Sequence, residues 1–165
     1  MPNWTYNRLK VEGDPPELKA FVDAVMGEER EDNGEPFVLC FERHLPTPPE
    51  ALEDGGSPEE RRFPDWFAWR REHWGTKWDA HWPRVVEAQL DEGSITYSFA
   101  TAWRPPDAWL AFVSAAHSEL AFRLEYCDEM AHFAGRGFWQ AGSLTDHEEL
   151  DPDEVDWMEW EEEEE

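Results

Sequence analysis

Seven residues, Trp74-Gly75-Thr76-Lys77-Trp78-Asp79-Ala80, limit this chain more than any other stretch. The aromatic run from Trp66 to His73 precedes them, and Trp82 follows. Gly75 can take a positive φ and end a helix, while a strand beginning at Trp78 would set Trp78, Ala80 and Trp82 on one face. The spacing therefore predicts a helix-to-strand corner with tryptophan packed on both sides. Eleven Trp among 165 residues make aromatic packing the expected substance of the core.

Charge narrows the partners. The chain carries 39 acids against 14 Lys and Arg, a net charge of −25, and twelve of the acids fall in 148–165, where no Lys or Arg occurs. That balance opposes direct binding to nucleic acid or to an anionic membrane, both of which need a basic footprint. It favours a basic protein partner. No apolar run is long enough to span a bilayer, and the start Met1-Pro2-Asn3-Trp4 does not read as a secretory signal. Cys40 and Cys127 lack metal-type spacing and read as reduced thiols of a cytoplasmic protein.

Along the chain, Trp4 to Val11 alternates as a first strand. Leu18, Phe21, Val22, Val25 and Met26 recur at helical spacing after Asp14-Pro15-Pro16. The apolar run Phe37 to Phe41 predicts a short buried strand. His44 to Ser57 reads as a Pro-rich excursion with one helical turn at Pro49 to Leu52. Asp65 caps a helix running to Trp74, on which Trp66, Phe67, Trp69 and Trp74 share a broad face that also includes Arg70 and His73. A strand from Trp78, interrupted by Pro83, pairs with the alternating segment Ser94 to Thr101; a short helix over Arg84 to Leu90 competes with that reading. A second amphipathic helix follows Pro105-Pro106-Asp107, then strands at Leu120 to Tyr126 and Phe133 to Trp139. The order predicts an α+β fold: a ferredoxin-like split βαβ sandwich over 1–147 with one extra C-terminal strand. A disordered acidic tail over 148–165 completes it. Another α+β sandwich with a different sheet order is the alternative.

Three separated motifs add a resemblance. Met1-Pro2-Asn3-Trp4 with Tyr6-Asn7, the corner 74–80, and Tyr97-Ser98-Phe99 followed by Thr101-Ala102-Trp103 and Pro105-Pro106 together resemble the YubB ferredoxin-like family over roughly residues 1 to 140. That family of small proteins is carried largely by bacteriophages and plasmids. The resemblance implies a shape and supplies no catalytic residues. Two Cys cannot furnish the four thiolates of an iron–sulfur cluster, and no cofactor is expected.

The candidate pocket or binding residues are Arg70, His73, Lys77, Asp79 and His81, around the structural motif Trp74, Gly75, Thr76 and Trp78. Arg can stack on Trp, His titrates near neutrality, and Asp79 and His81 would share the strand face opposite Trp78. The blander reading makes Arg70 and Asp79 polar staples of an aromatic corner. His73, His81, His117 and His132 have no metal-type spacing, and Ser98, Ser114 and Cys127 lack a nucleophile context. In the tail, Trp157, Met158 and Trp160 among acids form a candidate docking segment, or merely a solvated run.

Together these features point to a non-enzymatic, acidic protein-binding module. A narrower version is DNA mimicry against host defence or other nucleic-acid-binding proteins, since about 40 Å of duplex carries roughly 24 phosphate charges. The rival is a small enzyme or ligand-binding domain with its pocket at the corner 70–82.

Overall fold

The computed structural model of the chain describes residues 3–52 and 65–155. Strands β1 (Trp4–Glu12), β2 (His81–Gln89), β3 (Ser94–Ala102), β4 (Ala121–Asp128), β5 (Ala134–Gln140) and β6 (Ser143–Glu149) form one antiparallel sheet in the order β2-β3-β1-β4-β5-β6. Helices α1 (Pro15–Val25) and α5 (Asp107–Ala116) make the two crossovers. The four strands β2-β3-β1-β4 with α1 and α5 are the ferredoxin-like split βαβ, and β5 and β6 extend the sheet on one side.

Alternation along β1 decides which face is which. Thr5, Asn7, Leu9 and Val11 are buried under the helices, while Trp4, Tyr6, Arg8 and Lys10 lie on the open face. The register carries this parity across the sheet, setting Arg84, Ser98, Arg8, Glu125, Arg136 and Glu148 in one open-face row that crosses all six strands. Under the other face, Leu18, Phe21 and Val25 of α1 and Trp109, Leu110 and Val113 of α5 pack on Leu9, Tyr97, Phe99, Phe122 and Leu124. Helix α4 (Trp66–His73) and the short α2 (Phe41–His44) add an aromatic nest in which Phe41 meets Trp74, Phe99 and Trp109 at centroid distances of 5.7, 6.0 and 4.6 Å. Another single turn, α3 (Pro49–Leu52), falls where Pro49 predicts it.

The end of α4 is where the sequence places it. Asp65 caps α4 by accepting from the Ala68 amide at 2.9 Å, and Gly75 follows at φ +88°. Trp74 is fully buried, and its Nε1 donates to the Leu45 carbonyl at 3.0 Å.

Several expectations are corrected. Phe37 to Phe41 is not a strand: Asp79 Oδ1 and Oδ2 accept from the Phe41 and Glu42 amides at 2.7 and 3.0 Å, which starts α2 there. No strand begins at Trp78. β2 opens at His81, Trp82 sits at φ +50°, and residues 84–89 are strand rather than helix, so Trp78, Ala80 and Trp82 do not share a strand face. The acidic segment 148–165 begins inside the fold: Glu148 and Glu149 end β6, and Pro152–Glu154 forms a 3₁₀ turn. The backbone of β5 supplies the reason, pairing with β6 although every β6 side chain is exposed. Two strands are thus added, not one. Trp157, Met158 and Trp160 lie outside the described residues.

Candidate binding surface

Residues 76–80 run from α4 to β2 as a tied-down irregular segment. Thr76 Oγ1 donates to the Ala102 carbonyl at 2.8 Å, the Trp109 amide donates to the Trp74 carbonyl at 3.2 Å, and Arg70 Nη1 reaches the Lys77 carbonyl at 3.4 Å. These bonds fix the start of β2 beside the start of β1 and the end of β3. Four tryptophans therefore gather at one end of the open sheet face.

Trp4 is the hub. Its ring lies 5.0 Å from Trp82, 4.6 Å from His81 and 6.0 Å from Trp78. Lys77 Nζ stands 4.2 Å from the Trp78 centroid and 4.0 Å from Trp103, a cation held between two π faces. Trp103 leads on to Phe67 at 6.5 Å, and Arg71 lies over Phe67 at 5.5 Å. Trp82 and Trp103 remain 56% and 47% exposed. Both take positive φ, 50° and 69°, a region costing a bulky residue about 1–3 kcal/mol. Two exposed, strained indoles, one of them against the Lys77 cation, are not a packing solution. They are a presented surface.

The five candidate residues divide. Lys77 and His81 belong to this surface; His81 Nδ1 donates to the Asp79 carbonyl at 3.0 Å and the imidazole lies against Trp4. Arg70 is used internally: Nε donates to Thr47 Oγ1 at 3.0 Å, Glu42 lies 3.7 Å away, and the guanidinium covers Trp66 and Trp74. His73 stacks on Trp69 at 4.4 Å and donates through Nδ1 to the Trp69 carbonyl. The carboxylate of Asp79 turns away from His81 to cap α2, so the two do not form an ion site. Trp4, Trp82 and Trp103, which complete the surface, were not among the candidates. Trp4 and Trp103 do stand in the motifs that carry the family resemblance, and that was the available signal.

Elsewhere the chemistry is muted. Cys40 Sγ donates to Asp79 Oδ2 at 3.2 Å, and burial, then the Asp79 charge, pushes its thiol up to about 12. A cavity of about 520 Å³ beside it is lined by Gly27, Glu28, Phe37, Glu42, Arg43 and Pro46, and holds neither Arg70 nor His73. His44 and His117 meet Nε2 to Nε2 at 2.9 Å, both held below the usual imidazole value, first by burial. Among the described residues no group of three or more His, Cys, Asp or Glu is placed to hold a metal ion. No described helix is long and apolar enough to cross a membrane.

Comparison with known proteins agrees with the architecture. The chain superimposes on the crystal structure of a protein api92 from Yersinia pseudotuberculosis with a TM-score of 0.71 over 91% of this chain and 98% of that one, at 11% identity. At that identity the likeness is one of fold. No curated protein matches the chain. The family model described as the ferredoxin-like domain in Api92-like protein matches residues 77–165, from Lys77 through both added strands into the acidic terminus. The chain belongs to that family of ferredoxin-like domains.

Proposed function

We propose that this chain is a non-enzymatic binding module for a basic protein partner. The observation that carries the reading is the pair of exposed, positive-φ indoles, Trp82 and Trp103, at the end of the open sheet face. Indole faces accept guanidinium and ammonium groups, and a net charge of −25 steers such groups toward the chain. The nearest thiol to the corner, Cys40, is held protonated by burial and Asp79, which leaves it a poor nucleophile. The resemblance to the YubB family supplies the setting, a phage- or plasmid-borne accessory protein acting inside a bacterial host cell.

DNA mimicry is the narrower form, and one observation favours a specific place for it. The open face alternates Arg8, Arg84 and Arg136 with Glu125 and Glu148, so it is not one-signed. The edge β6 and the turn after it present Asp146, Glu148, Glu149, Asp151, Asp153 and Glu154, only Glu148 of them paired with an Arg among the described residues. A mimic would use that edge. Affinity capture from bacterial lysate tests both forms, with the Trp82→Ala/Trp103→Ala double variant as the control. Basic proteins held by the unaltered chain, released between about 0.15 and 1 M salt and lost in the double variant, support the module. Displacement of those proteins by duplex DNA supports mimicry. Capture unchanged by both salt and the double substitution refutes the reading.

A further inference from the structure

Lys77 sits on the aromatic surface as a ligand would. Its Nζ stands 4.2 Å from the Trp78 ring centroid and 4.0 Å from that of Trp103. Among the described residues no carboxylate lies within ion-pair distance of it, in a chain with 39 acids. The walls of this slot are fixed. Trp103 follows β3 at φ +69°, and its neighbours' bonds hold it there. Its amide donates to the Asn3 carbonyl at 2.9 Å, the Arg104 amide to the Ala102 carbonyl at 2.9 Å, and Thr101 Oγ1 to the Arg104 carbonyl at 2.7 Å. A further bond ties one wall to the other: Thr76, directly before Lys77, donates through Oγ1 to the carbonyl of Ala102, directly before Trp103. A lysine stem that merely covered apolar surface would need no strained wall.

An ammonium is the weaker of the two side-chain cations that such a slot accepts. It is compact and strongly hydrated, whereas a guanidinium is planar, more weakly hydrated and stacks flat on an aromatic face. We propose that the slot between Trp78 and Trp103 is a receptor site for an arginine side chain, and that Lys77 is a built-in occupant which the incoming guanidinium displaces. The net charge of −25 draws such a group to the surface, and Trp103, 47% exposed, leaves the slot open to it. The displaced ammonium swings into water on its flexible stem, so the exchange buries no unpaired charge. Lys77 thereby sets a threshold: a second ammonium gains nothing over the one already seated, and a guanidinium does. The site stands whatever carries the arginine; that the carrier is a basic protein rests on the module reading above.

Blocked arginine (N-acetyl-arginine amide) titrated into the full chain tests this by proton–nitrogen NMR of the indole Nε1–H groups, with blocked lysine and sodium chloride at equal concentration as controls. Trp78 and Trp103 are assigned by single Trp→Phe changes, and the buried Trp74 indole, bonded to the Leu45 carbonyl, reports that each variant is folded. Blocked arginine should move the Trp78 and Trp103 signals further than blocked lysine does. Lys77→Ala empties the slot and should tighten blocked arginine by about fivefold to thirtyfold, the equilibrium worth of two exposed cation–π contacts. Lys77→Arg keeps the charge but seats a better occupant, so blocked arginine should bind it more weakly than it binds the unaltered chain. Simple charge attraction predicts another pattern: no change in Lys77→Arg, and a gain in Lys77→Ala matched by Arg71→Ala, whose cation lies over Phe67 outside the slot. That pattern overturns the proposal. So does a titration of Lys77→Ala that leaves the Trp78 and Trp103 signals unmoved. Capture of basic proteins judges the module reading separately: a failed slot with capture intact strikes only this proposal, and a working slot with no protein captured strikes only that reading.

Discussion

Gly75 gives the sharpest test of the corner. At φ +88° any L side chain is strained, at about 1–2 kcal/mol. A β-carbon there would also overlap Asp107 Oδ1 and stand 3.1 Å from the Asp107 amide nitrogen. That oxygen accepts from the Ala108 amide at 2.9 Å and so helps begin α5. Displacing it should cost a further ~0.5–1.5 kcal/mol, the usual net worth of one hydrogen bond. Gly75→Ala should therefore destabilise by about 1.5–3.5 kcal/mol, moving a urea midpoint down by about 0.8–1.8 M at a slope of about 2 kcal/mol/M. Gly34 is the internal control, because it takes φ +72° with nothing within 4 Å of its would-be β-carbon. Gly34→Ala carries only the backbone term, about 1–2 kcal/mol or less. Equal midpoint shifts for the two variants, at unchanged slope, would refute the claim that the corner is locked to α5.

Asp79→Asn should weaken the start of α2 by about 0.5–2 kcal/mol, and it should speed alkylation of Cys40 at pH 8 by removing the carboxylate that helps hold the thiol up; an unchanged rate would show that burial alone protects it. The His44–His117 pair predicts an acid-side loss of stability. Both pKa values are depressed, so the folded state binds fewer protons than the unfolded one, and the pair's contribution is complete above about pH 6.5 and falls as the pH drops through that value. The stability difference between the unaltered chain and His117→Phe should therefore shrink from pH 8 to pH 5, and a difference that grows on acidification contradicts the assignment. Trp82→Gly relieves a strain of about 1–3 kcal/mol while losing an edge contact with Trp4 of about 0.5–1.5 kcal/mol. Its thermal midpoint should stay close to that of the unaltered chain, and a loss above about 2 kcal/mol would make Trp82 a packing residue.

Where the fold was legible, one face of an element carried the signal. Leu18, Phe21 and Val25, then Trp109, Leu110 and Val113, repeat at helical spacing and are buried as that spacing demands. β6 offered no such signal, because all seven of its side chains are exposed and its pairing with β5 is made by backbone. Its acids therefore read as a tail. Phe37 to Phe41 misled for the opposite reason: five apolar residues fit a buried strand, and the carboxylate that starts α2 comes from Asp79, 38 residues away from Phe41. The candidate surface was half legible. Lys77 and His81 could be picked out beside the corner, but Trp4 and Trp103 reach them only through the β1–β3 pairing, and Trp82 only through a left-handed backbone that no pattern announces.

The two edges of the sheet are closed to further strands by unlike means. On β2 the guard is covalent and geometric: Pro83 lacks an amide hydrogen, and the register with β3 slips twice, between His81 and Arg84 and between Val85 and Glu87. On β6 the backbone pairs regularly with β5 up to one slip near Trp139, and what faces an incoming strand is mutual repulsion from Asp146, Glu148 and Glu149. One barrier ignores ionic strength; the other is screened by salt. The two guards therefore differ in kind, and only the acidic rim weakens as salt rises. The same acidic side chains that the proposed basic partner would meet also oppose edge-to-edge pairing between copies of the protein.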